Sequence, residues 1–97
     1  MSKKIIVNNN GYELIKNYKD AFNEEEFLEK CTDYFYDYDY IVGDIAYSKL
    51  RLKGFYDSKN KKANEINNYD YLEKYLKNNC AVDCKYYILK KDGKDEI

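Results

Sequence analysis

The chain has 97 residues, 44% of them hydrophobic, with 17 basic and 18 acidic side chains and a formal net charge of -1. That length suits one domain over residues 1–97, burying roughly 60 to 65% of its unfolded surface, and the near balance of charge leaves any electrostatic binding to a local patch. Histidine is absent, which removes the usual general base near pH 7, the His-assisted nucleophile and the commonest metal ligand, so the chain is expected not to be an enzyme. The 13 tyrosines accompany a general lean to Lys, Asn and Ile, as an A/T-rich genome encodes, and are not by themselves a binding surface.

No run of about 18 apolar residues exists to span a bilayer, and the apolar start at Ile5-Ile6-Val7 turns polar at Asn8, too soon for a signal-peptide core. The expectation is a soluble cytoplasmic protein with no membrane partner. Three cysteines, Cys31, Cys80 and Cys84, make an odd set that suits a reducing compartment.

In chain order, Lys4–Val7 reads as a strand. Asn8-Asn9-Asn10-Gly11 tolerates positive φ, and Tyr12–Lys16 returns beside the first strand as a hairpin. Asn23 with Glu26 three residues on has the form of a capping box, with Glu24, Glu25 and Glu26 in the first turn. The apolar positions Phe27, Leu28, Cys31, Tyr34, Phe35 and Tyr38 then extend a helical stripe toward a core. Next, Tyr40-Ile41-Val42 reads as a strand too apolar to face water on both sides, with Gly43-Asp44 as its turn. From Ser48 the chain alternates: Leu50, Leu52 and Tyr56 fall on one face, Lys49, Arg51, Lys53 and Phe55 on the other. The two strands form a hairpin expected at the middle of the sheet.

The polar stretch Asp57–Glu65 reads as a mobile loop, the natural lid or partner-contact segment. A second helix is expected from about Asn68 to Asn78, with Asn67 or Asn68 as cap and Tyr69, Leu72, Tyr75 and Leu76 buried. Cys84–Lys90 reads as a strand. The ordered core is about residues 4–90, followed by a frayed tail over 91–97. The order ββαββαβ predicts an α+β fold, one mainly antiparallel sheet with both helices packed on one face and the opposite face in solvent. Four glycines without a fingerprint spacing give no sign of a nucleotide cofactor, and no cofactor is expected.

The stretch Tyr38-Asp39-Tyr40-Ile41-Val42-Gly43-Asp44, followed by Leu50-Arg51-Leu52-Lys53-Gly54-Phe55, resembles the signature of the YutD-like family of small bacterial proteins. Tyr18–Glu25 resembles that family's helix start, and Cys80–Cys84 before Tyr86–Lys90 its closing segment, so about Tyr12 to Lys90 is covered. The resemblance implies a small α/β domain from low-GC bacteria and leaves the function open, because the family has no established active site. Two departures stand out: Ile45-Ala46 where a Trp-Gly pair is usual, and Ser48 where a glycine is usual. Any role resting on that Trp is in doubt here, although Tyr47 is a partial substitute.

The strongest functional candidate is the basic stripe. Lys49, Arg51 and Lys53 recur about 6 to 7 Å apart on one strand face, and Arg51, the only arginine, offers a planar fork for phosphate or carboxylate. With Phe55 and Tyr47 the face resembles a platform for single-stranded nucleic acid, the first candidate ligand of a non-catalytic binding module. The competing reading is an ordinary solvated strand face, with Arg51 paired to Asp44 or Asp57. A protein partner or a second copy, docked on the aromatic hairpin and the Asp57–Glu65 loop, is the alternative function. A Mg²⁺-dependent phosphodiesterase using Asp44 with Asp37 and Asp39 is a third, weakened by the lack of any supporting catalytic group. Cys31, Cys80 and Cys84, with Asp83, have poor spacing for zinc and read as packing residues, so no metal is expected.

Overall fold

The computed structural model describes residues 3–7, 9–46, 48–79 and 85–92. Tyr47, Cys80, Asp83, Cys84 and the tail beyond Asp92 lie outside the described residues. Five strands, β1 (Lys3–Val7), β2 (Asn10–Tyr18), β3 (Tyr40–Ala46), β4 (Lys49–Phe55) and β5 (Lys85–Lys91), form one antiparallel sheet in the order β1-β2-β5-β3-β4. Two helices, α1 (Glu24–Lys30) and α2 (Leu72–Asn79), complete an α+β fold in the expected element order. The last strand lies at the centre, between β2 and β3, so the β3–β4 hairpin sits at the side of the sheet with β4 as its edge, not in the middle.

The expectation that both helices share one face is corrected. Ile41, Tyr87 and Leu89 cluster with Phe27 and Cys31 at α1, whereas Tyr40, Val42 and Ile88 cluster with Leu72, Tyr75 and Leu76 of α2. Neighbouring residues of a strand point to opposite faces, so the helices flank the sheet on both sides. The continuous apolar runs Tyr40-Ile41-Val42 and Tyr87-Ile88-Leu89 require this arrangement, because a strand buried on both faces has no polar alternation. Cover on the α2 side is partial: Ile6 and Tyr18, on β1 and β2, remain 64% and 38% exposed.

Helix α1 begins as its sequence demands, the Asn23 side chain accepting from the Glu26 amide at 3.0 Å. It ends at Cys31, whose backbone is extended, and a short 3-10 turn over Asp33–Phe35 follows. The longer stripe is therefore broken: Phe27 and Cys31 are buried, while Tyr34 is 66% exposed. Thr32 and Asp33 are poor interior helix residues, and a carboxylate near a helix C-terminus opposes the dipole.

β3 runs straight through Gly43 and Asp44, and the hairpin reverses between Ala46 and Lys49. Ser48 there has φ 64°, the left-handed conformation in which glycine costs least. Gly43 serves packing instead. A methyl group at Gly43 would lie 2.3 Å from Cζ of Tyr87, and one at Gly54 2.2 Å from Cδ2 of Tyr38, so each glycine makes room for a tyrosine ring.

Candidate binding face

Register places Asp44 of β3 directly opposite Arg51 of β4, Val42 opposite Lys53 and Tyr40 opposite Phe55. All six lie on the α2 side of the sheet. Asp44 is fully buried and accepts from Arg51 Nε at 3.2 Å, Arg51 Nη2 at 2.5 Å and the Tyr75 hydroxyl at 3.3 Å. Hydrogen bonding to Asp44 raises the already high Arg51 pKa. Burial, with Asp44 as the next cause, pushes the Tyr75 phenol up to about 12. One carboxylate thus ties the edge strand and α2 to the sheet.

Lys53 holds its ammonium 5.2 Å from the Phe55 ring centroid and 5.7 Å from that of Tyr75. Phe55 is 0% exposed and packs edge-on against Tyr75 at 5.6 Å. The expectation of Phe55 as an exposed stacking ring is corrected: α2 covers the face on which the ring was to be offered. Lys49 is exposed beside the hairpin turn. Of the expected stripe, Lys49 faces water, Arg51 is half exposed but paired, and Lys53 lies over two rings.

The carboxylates of the phosphodiesterase reading are not brought together. Asp44 is interior to β3. Asp39, 5% exposed, accepts from the Asp57 amide at 2.7 Å and Asn60 Nδ2 at 3.0 Å, and Asp37 accepts from the Tyr56 hydroxyl at 2.8 Å and pairs with Lys62 at 2.6 Å. Burial, then Asp37, pushes the Tyr56 phenol up to about 12. Among the described residues no three metal-ligating side chains converge.

The same contacts give the Asp57–Glu65 loop an internal scaffold of hydrogen bonds. Asp57, Asn60 and Asn64 each accept an amide hydrogen from two residues on, at Lys59, Lys62 and Ile66, and Asn67 Oδ1 accepts from the Asn64 amide at 2.6 Å. The first three are Asx turns. The spacing of Asp57, Asn60, Asn64, Asn67 and Asn68 carried that signal in the sequence. Tyr56 then pairs with Asn68 in a one-residue parallel bridge, which anchors the loop's end beyond β4.

The sequence reading also missed an open groove where this loop meets the start of α2, lined by Glu65, Ile66, Asn68, Asp70, Tyr71 and Lys74. No regular spacing announces it, because it depends on how the loop turns back.

Comparison with known proteins gives one consistent relationship. The family model described as "Putative antitoxin YutD-like" matches residues 6–90. A Bacillus subtilis (strain 168) protein named "Putative antitoxin YutD" is 44% identical over 87 residues, covering 90% of this chain and 96% of that protein. The solution NMR structure of protein yutD from B. subtilis superposes with a TM-score of 0.80 at 42% identity, covering 95% of this chain and 84% of that one. No helix among the described residues is long and apolar enough to cross a membrane.

Proposed function

The chain belongs to the YutD-like family, and from that premise we propose that it is a non-catalytic binding module whose partner is a protein, held at the hairpin side of the sheet. The observation that carries this reading is the match, over nine-tenths of the chain, to a protein named "Putative antitoxin YutD", a name that points to a protein partner. The local chemistry supports it. Asp37, Asp39 and Asp44 are committed to internal partners, and the exposed cation Lys49 sits on an edge strand that can take a docking chain.

Single-stranded nucleic acid is the second reading, favoured by three cations on one edge strand. Burial of Phe55 and the pairing of Arg51 weaken it. Recovery of the tagged protein from growing cells separates the two. A protein partner stays bound after nuclease treatment and is lost with Lys49→Glu; recovery of nucleic acid in its place, released by high salt, overturns the reading.

A further inference from the structure

The groove at the foot of α2 sets two carboxylates against a single cation, Lys74. Glu65 and Asp70 both line it, and neither meets a lysine or arginine in an ion pair among the described residues. Its apolar wall is Ile66, 66% exposed, and its aromatic wall is Tyr71, over which Lys74 holds its ammonium 5.3 Å from the ring centroid. These walls are set by the backbone. The Ile66 amide donates to Asn64 Oδ1 at 2.9 Å, the Asp70 amide to Asn68 Oδ1 at 2.9 Å, and the Tyr69 amide to the Tyr56 carbonyl at 2.8 Å.

Two carboxylates against one ammonium disfavour an anion and gain nothing from a purely apolar visitor. A cation on an aliphatic stem uses every wall: the stem lies along Ile66, the head pairs with carboxylate, and the ring accepts the charge over its face. Lys74 already demonstrates the last contact from within the chain. A guanidinium fits better than an ammonium, since it stacks on a phenol and forks to a carboxylate at the same time.

We propose that this groove receives an arginine side chain from a basic segment of the protein partner, the guanidinium taking the place of Lys74 over Tyr71 and pairing with Glu65 and Asp70. The inference rests on the protein-binding reading and supplies the partner's chemistry. It makes Lys74 a competitor that the incoming arginine displaces.

The test is an amide NMR titration of the full chain with a short capped peptide carrying two arginines, and with the same peptide carrying glutamates instead. The arginine peptide shifts Ile66, Tyr71 and Lys74, and the glutamate peptide leaves them in place. Glu65→Gln and Asp70→Asn each weaken binding about two- to fivefold, the range of an exposed ion pair. Lys74→Ala strengthens it by clearing the ring, whereas Lys77→Ala, which removes the same charge from the same helix, does not. Equal gains from the two lysine variants, or shifts spread over Glu25 and Glu29 of α1 instead of the groove, overturn the proposal. A silent groove with partner recovery from cells intact removes this inference alone, while failed recovery with a responsive groove removes the hairpin reading.

Discussion

Arg51 decides whether the hairpin face is scaffold or ligand site, and its removal is the perturbation that tells. The Asp44 side chain is 0% exposed and that of Arg51 46%. Arg51→Met leaves a buried carboxylate that accepts from the Tyr75 hydroxyl at 3.3 Å. Breaking a buried pair from one side costs about 3–5 kcal/mol, and because water reaches the exposed half of the guanidinium the lower end, about 3 kcal/mol, applies. Asp44→Asn keeps an acceptor and lets Arg51 turn to water, losing only the charge-assisted part, about 1–2 kcal/mol. The double variant, with neither charge left, costs about 2 kcal/mol, well under the sum, a coupling expected of groups in contact. Urea unfolding of the four proteins at matched m-value measures this directly. A loss under about 1 kcal/mol for Arg51→Met, with additive singles, refutes the reasoning and returns Arg51 to the surface as a free ligand for phosphate.

Further outcomes follow from the same contacts. Ser48→Gly relieves the left-handed turn and stabilises by about 0.5–1 kcal/mol in the same unfolding assay. Gly43→Ala, pressed against the buried Tyr87 ring, costs about 3 kcal/mol or more, as overpacking at its worst does. Asp39→Ala frees the Asp57 amide and Asn60, so hydrogen exchange at Lys59 to Ala63 accelerates while β3 and β5 stay protected. Burial pushes the Cys31 thiol up to about 11. Peptide-level alkylation at pH 8 therefore leaves Cys31 unmodified in the native protein. The stability that its neutral form contributes is complete below pH 9 and is lost as pH rises through about 11.

How much of this was legible in the chain depended on the range of the interaction. The Asn23 cap, the β1–β2 hairpin and the start of the second helix region at Asn68 are local, and residue type alone announced them. The pairing of Arg51 with Asp44 was one of two weighed outcomes, settled only by strand register. The central position of β5 was not legible, since it depends on Lys85–Lys91 returning between two hairpins formed far earlier. The apolar Tyr40-Ile41-Val42 run excludes water from both sides of β3 at once but still admits it on one, so beside the alternation of β4 it left a wet face for Phe55. Gly43 read as a turn because a glycine that clears space for Tyr87 and one that bends a chain are identical in sequence.

The most direct measurement of the central claim is site-specific photocrosslinking in growing cells, with the probe at Lys49 on the hairpin edge and, as control, at Leu28 on the exposed side of α1. The account predicts a discrete protein adduct from position 49, unchanged by nuclease and absent from position 28. An adduct that nuclease removes, or the same protein captured equally from both positions, contradicts it.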